Sequence, residues 1–277
     1  MLKNKSNEAD EKNSMDLGQS LVSNTGAARD IDLLITPKVI TASALFTTRN
    51  QKQPREYARR KEIVVAPGIG SLKYTGEELR YSDLEVWQML IELARANEIH
   101  KNSYILKTNL RQILKSLGRD TGGKAYETFR DCLERLKATS LSFESISGMN
   151  IKSFSLLQKY EIKEKNTLTI SLDPEIYKLF QSSDLVLLSA NDLRNMPDLT
   201  KKIYGIIKSD LKNDLTVEQY MNLTGNDYKR VTQFKAKLVS ALKQLLVGGH
   251  IKNWRIEKID KEYVVFVNES GTTSGQK

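Results

Sequence analysis

Cysteine is nearly absent from this chain of 277 residues: Cys132 is the only one. A disulfide framework is thereby excluded and a reducing compartment implied. Cys132 lies beside an apolar helical stripe, which suits a buried structural thiol better than a nucleophile. Histidine is almost as scarce. His100 and His250 are far apart, and neither stands in a paired-histidine metal pattern, which argues against a metal-dependent nicking enzyme. Long apolar runs are missing too. The longest, Ile63–Ala66, Leu185–Leu188 and Val264–Val267, fall far short of the ~20 residues that a membrane-spanning helix needs. The N-terminal stretch MLKNKSNEADEKNS has no apolar centre, so it does not read as a secretory signal. These absences predict a cytoplasmic protein with no membrane association. No grouping of acids, His and Ser suggests a hydrolytic site. Gly118–Ala125 comes close to a phosphate loop, but Ala125 lacks the hydroxyl that would hold magnesium, and the stretch follows a helix rather than a strand. The expectation is a protein that is not an enzyme, with no cofactor and no metal.

Positive charge is what the chain has in excess: the net charge is +9 and the pI about 9.3. That balance favours a polyanionic partner, either nucleic acid or an anionic surface. Residues 1–40 are polar and nearly neutral and read as a disordered tail. Residues 41–70 read as a basic arm or linker. Within it Arg49, Lys52, Arg55, Arg59, Arg60 and Lys61 face only Glu56, a net +5 over Thr47–Lys61. Such a segment either tracks DNA phosphates or is a solvated linker.

Two similar blocks follow, at 71–173 and 174–268, before a short disordered tail at 269–277. The first opens on Ser82-Asp83-Leu84-Glu85, a capping box. Trp87, Leu90, Ile91 and Ala94 then recur at helical spacing. Leu110, Ile113, Leu114 and Leu117 mark a second helix stopped by Gly118, and Tyr126, Phe129, Leu133 and Leu136 a third. Ser140–Ile146, Phe154–Ile162 and Leu168–Leu172 read as strands, with hairpin turns at Gly148-Met149-Asn150 and Lys165-Asn166. Between the blocks, Asp173-Pro174 caps a short helix over Glu175–Gln181. The second block repeats the order: a helix over Leu199–Leu211, a capping box at Thr216–Gln219, and a long helix after Asn226 that stops at Gly248-Gly249. A two-stranded ribbon follows at His250–Ile256 and Tyr263–Val267. Helices followed by a β-ribbon predict an α+β fold of two tandem winged-helix domains (helix-turn-helix plus β-wing).

The long helix of the second block has two unlike faces. At 100° per residue, Val231, Phe234, Leu238, Ala241, Leu242 and Leu245 gather on one side. Lys229, Thr232, Gln233, Ala236, Ser240 and Lys243 gather on the other, flanked by Arg230 and Lys237. That face has no acid. Its cations suit phosphates, its polar side chains suit base edges, and its small residues allow close approach to a major groove. The equivalent helix of the first block carries Glu127, Asp131 and Glu134 outward, which repel phosphates. Contact there is expected only near its start, at Arg119, Thr121, Lys124 and Arg130, and the first block is otherwise expected to serve largely for dimerisation or backbone contacts.

Several strings resemble a known family. Ser43-Ala44-Leu45-Phe46-Thr47-Thr48-Arg49-Asn50, Pro54-Arg55-Glu56 and Tyr74-Thr75-Gly76-Glu77-Glu78-Leu79-Arg80 resemble the TrfA-type plasmid replication initiators. So do Val86-Trp87-Gln88, Glu134-Arg135-Leu136-Lys137-Ala138-Thr139 and Ser155-Leu156-Leu157, the similarity running over roughly 40–260 and weaker in the second block. The resemblance implies binding to direct repeats (iterons) in double-stranded origin DNA and melting of an adjacent A·T-rich segment, including contact with its single strand. It further implies recruitment of host DnaA and the replicative helicase, and copy control through a monomer/dimer equilibrium. Leu45-Phe46 resembles the end of sliding-clamp-binding peptides but lacks their upstream Gln. It binds the clamp or docks on its own domain. A transcriptional repressor shares every DNA-binding feature of this sequence, and a strand-nicking enzyme is the rival from another class.

Overall fold

Structure begins earlier along the chain than its composition suggests. The computed structural model describes residues 32–96, 105–163, 166–181, 184–211 and 214–269. The expected tails at 1–31 and 270–277, as well as His100 and Lys165, lie outside the described residues. The tail was expected to reach residue 40, but Leu33–Thr41 is folded. Strand β1 (Leu33–Pro37) buries Leu34 and Thr36 and pairs antiparallel with β11 (Leu185–Ser189). One helical turn follows, α1 (Lys38–Thr41), with Val39 and Ile40 in the core. Burial of alternate apolar side chains outweighs the polar average of the segment.

The expected basic arm is also part of the fold. Strand β2 (Phe46–Thr47) lies parallel to β5 (Leu79–Arg80), while β3 (Tyr57–Ile63) and β4 (Gly70–Glu77) form a hairpin. Helix α2 (Tyr81–Ala96) buries Trp87, Leu90, Ile91 and Ala94 as its period predicts. Its start differs from the expected box. The helix begins at Tyr81, Asp83 accepts the Arg80 N–H at 2.9 Å, and Glu85 turns to Arg119 and Lys201 instead.

The first unit continues with β6 (Ile105–Asn109), α3 (Leu110–Ser116) and α4 (Gly123–Lys137). Strands β7 (Ser140–Ser145) and β8 (Asn150–Phe154) precede β9 (Lys159–Lys163) and β10 (Thr167–Ser171). The strand expected over Phe154–Ile162 is therefore broken. The β7–β8 hairpin turns away from the ribbon to complete a sheet of order β3-β4-β7-β8, where Leu141 and Phe143 cover β4. Gly70 makes that pairing possible: a Cβ there would lie 2.1 Å from the Glu144 carbonyl oxygen. The remaining strands form a sheet of order β6-β10-β9.

After α5 (Pro174–Gln181), β11 and α6 (Ala190–Arg194), the second unit comprises α7 (Asp198–Lys208), β12 (Leu215–Thr216) and α8 (Val217–Leu223). It ends with α9 (Val231–Val247), β13 (Ile251–Ile259) and β14 (Glu262–Glu269), in a sheet of order β12-β14-β13. With the inserted β7–β8 hairpin set aside, both units run helix, strand, helix, helix, strand, strand, and both place the last strand in the middle of a three-stranded antiparallel sheet. The box at Thr216 is present as predicted, with reciprocal bonds to Gln219. One core surrounds Phe46, Trp87, Phe129 and Leu133, and the other Ile203, Phe234, Leu238 and Leu242. Each such side chain contributes roughly 1.5–3 kcal/mol when buried. Among the described residues, no helix is long and apolar enough to cross a membrane.

Lys202 on α7 is fully buried where the units meet. Its ammonium nitrogen donates to the carbonyls of Thr41 (3.0 Å) and Ser43 (2.5 Å). Burial pushes its pKa down to about 7. The folded protein therefore holds fewer protons than the unfolded chain from about pH 7 up to the ordinary lysine value, and stability rises with pH in that window. The neutral amine keeps two N–H donors for the two carbonyls. Between pH 7 and pH 9 the wild type should gain about 2 kcal/mol, seen as a Tm several degrees higher. Lys202→Met should abolish that rise; equal slopes in both proteins would show that Lys202 does not titrate there.

Candidate nucleic-acid interface

Helix α9 is long because Phe234, Leu238, Ala241, Leu242 and Leu245 give it one continuous buried stripe. Thr232, Gln233, Ala236, Lys237, Ser240 and Lys243 are all exposed on the opposite face. Its start corrects the sequence expectation. Asn226 is not its N-cap, because its side-chain amide donates to the Thr48 carbonyl (3.0 Å) and hydroxyl (3.2 Å). The helix begins at Val231, so Lys229 and Arg230 stand in the preceding turn, exposed, instead of on the helical face. Tyr228 folds back onto Phe234, ring centroids 5.4 Å apart, and fixes that turn. The first turn of α9 carries no acid and no side-chain cap.

The β13–β14 ribbon adds cations that periodicity did not single out. Lys252, Arg255, Lys258 and Lys261 are exposed along it. Arg255 stacks on Phe266 at 4.4 Å and pairs with Glu257 at 2.7 Å, and the Lys235 amine of α9 lies 3.4 Å from the centre of the Tyr263 ring. The signal was available: four cations in ten residues of a predicted hairpin. His250, at the base of the ribbon, packs on Tyr204 at 5.3 Å and faces Asp192 at 3.6 Å.

The first unit is less open. On α4, Lys124 and Arg130 are exposed, as are Glu127, Asp131 and Glu134. Thr121 is half-buried. Arg119 is committed to the protein: it donates to the Ser82 carbonyl at 2.9 Å and to Glu85 at 3.1 Å. Cys132 is buried, and burial pushes its thiol pKa well up, which disfavours the thiolate a nucleophile needs.

Two arginines of the expected arm are likewise structural. Arg49 pairs with Glu56 at 2.8 Å and Glu78 at 3.5 Å. Arg55 pairs with Asp83 at 2.7 Å, and Arg135 of α4 reaches the other oxygen of Asp83 at 2.9 Å. Burial pushes the Asp83 carboxyl up, but attraction from Arg55 and Arg135 and the Arg80 N–H outweighs it, so its pKa is lowered. Arg80 is buried against Glu78 and also donates to the Gln53 carbonyl at 2.8 Å. Of the six arm cations, Lys52, Arg59, Arg60 and Lys61 remain exposed. Leu45 and Phe46 are buried as well, so the clamp-like pair is docked on its own domain.

A family model described as "TrfA protein" matches residues 17–260. The chain belongs to the TrfA family. A plasmid replication initiator protein TrfA from Escherichia coli is 28% identical over 223 residues, 78% of this chain and 58% of that protein. The chain thus spans under two thirds of that relative's length. Domains 2 and 3 of RctB share the fold, with a TM-score of 0.55, 13% identity and coverage of 84% of this chain and 96% of that one. A Pi initiator protein solved in complex with iteron DNA aligns at a TM-score of 0.46 and 12% identity, covering 68% of this chain and 95% of that one, too distant to bear on the fold. Within the strings that resemble TrfA, Phe46 and Leu79 are buried in the first core, and Arg49, Arg55 and Arg80 are ion-paired with Glu78 or Asp83.

Proposed function

We propose that this chain initiates plasmid replication by binding direct repeats at an origin, through two winged-helix domains and without catalysing a reaction. The observation that carries the reading is the acid-free exposed face of α9, set opposite a fully buried stripe and beside a cationic ribbon. Lys229 and Arg230 enter with the turn; Thr232, Gln233, Ala236, Lys237 and Ser240 lie against the base edges of a major groove, small residues allowing close approach. Lys252, Lys258 and Lys261 meet the backbone beside it. Lys52, Arg59, Arg60, Lys124 and Arg130 hold neighbouring phosphates, so affinity falls with salt. Membership of the TrfA family and the name of the Escherichia coli relative support replication initiation as the outcome. Opening of an A·T-rich segment, recruitment of host DnaA and helicase, a monomer/dimer equilibrium and a cytoplasmic location belong to the same proposal.

Changing Lys229 and Gln233 to Ala together should weaken specific repeat binding by roughly 1–3 kcal/mol per lost base contact. Affinity for random duplex should fall far less. A gel-shift titration measures both, and unchanged discrimination between repeat and random DNA would refute the assignment of this helix.

A further inference from the structure

The segment Thr41–Pro54 runs between the two units and is bonded to both. On the second unit, the Thr48 N–H donates to the Thr224 carbonyl at 2.9 Å. Asn226 holds Thr48 as described, and Asp227 faces Arg49 at 3.7 Å and accepts from the Gln53 amide at 3.2 Å. Gly225, at φ +61°, has Thr47 so close that a Cβ would lie 2.7 Å from its methyl carbon. On the first unit, Thr47 donates to Glu78 at 2.9 Å, and Arg49 and Arg80 grip Glu78 from two sides. The Arg55 guanidinium donates to the Glu78 carbonyl at 2.5 Å, and Asp83 links Arg55 to Arg135 on α4. A linker bonded at this many points on each side restrains the relative motion otherwise expected between domains.

We propose that the chain of contacts Arg135–Asp83–Arg55–Glu78–Arg49–Asp227, carried by this strap, sets the separation of α4 from the turn that opens α9. One molecule would then read a DNA site whose two contacted halves stand a fixed number of base pairs apart. The six residues of this chain of contacts are positioning residues: they touch no DNA. This proposal rests on the DNA-binding reading above and adds spacing selectivity to it. Rigid coupling of two contact sites makes the second contact intramolecular, and a wrong spacing forfeits it.

The test uses the full chain and a duplex selected by it from a random 40-base-pair pool. Footprinting defines the two protected halves, and duplexes with one or two base pairs added or removed between them form the series. The wild type should lose about 10-fold or more in affinity at the wrong spacings. Asn226→Ala with Asp227→Ala cuts the joint on the second unit, and Arg49→Met with Gln53→Ala cuts it on the strap. Either pair should reduce the spacing penalty to about 3-fold or less while the best spacing still binds. Lys229→Ala should lower affinity at every spacing alike and leave the ratio unchanged, which separates positioning from contact. A wild type indifferent to spacing, or folded joint variants that keep the full penalty, would overturn the proposal. Failure to select any preferred duplex would instead sink the DNA-reading assignment on which it stands.

Discussion

Replacing Asp83 by Ala is expected to destabilise the protein by about 3–5 kcal/mol, the loss that follows when one partner of a buried ionic network is removed. Asp83 is 1% exposed, so bulk solvent does not reach it to replace its partners. Its two oxygens serve Arg55 at 2.7 Å, Arg135 at 2.9 Å and the Arg80 N–H at 2.9 Å. Truncation leaves two guanidinium groups, both largely covered, and a backbone donor without their acceptor. Glu77, 44% exposed and 3.8 Å from the same Arg55, is the control: its removal should cost under about 1 kcal/mol. Urea unfolding at pH 7 measures both variants. The sign of the pH dependence follows from the lowered pKa of Asp83: its stabilisation is complete above the unfolded carboxylate value near ~4 and is lost as pH falls through the lower folded value. The gap between wild type and Asp83→Asn should therefore narrow in acid. A constant gap down to pH 2, or a loss at pH 7 no larger than that of the Glu77 control, would show that the network does not hold the first unit together.

Phe46→Ala should cost a similar amount, about 3–5 kcal/mol, the range for emptying a buried aromatic site. Phe46 is fully buried, and its ring lies 6.5 Å from that of Trp87, whose indole N–H donates to the Leu156 carbonyl at 3.0 Å. Its backbone is held in β2 beside Leu79. The resemblance of Leu45-Phe46 to a clamp-binding peptide gives the opposite expectation, a folded protein that loses only clamp affinity. Thermal unfolding together with clamp binding distinguishes them. A Phe46→Ala protein with unaltered Tm but reduced clamp binding would mean that the segment leaves its site, which the parallel pairing and burial contradict.

Much of the helical framework could be read from periodicity. The stripes Trp87–Leu90–Ile91–Ala94 and Phe234–Leu238–Leu242–Leu245 are local patterns, and their burial follows from where a helix places every third and fourth residue. Gly118 and Gly249 stop helices in left-handed conformations, φ +66° and +73°, that favour glycine. The cap at Thr216 and the exposed face of α9 were legible for the same reason. Asn226 was misjudged as a cap because its competing partner, Thr48, is 178 residues away. The β7–β8 hairpin was misplaced because alternation identifies a strand without identifying its neighbour.

By itself, then, the sequence determined the repeated order of helices and strands, the core stripes and the basic balance, all set by neighbours within a turn or a hairpin. Which cations are free was decided only by the tertiary structure. Arg49, Arg55 and Arg119 look like Lys52, Arg59 and Arg60 in a one-dimensional count, yet folding brings Glu78, Asp83 and Glu85 against the first three and leaves the others in water. The reason is distance along the chain: Arg55 and Asp83 are 28 residues apart and Arg135 and Asp83 are 52, separations over which local pattern carries no information and only the packed core fixes who meets whom.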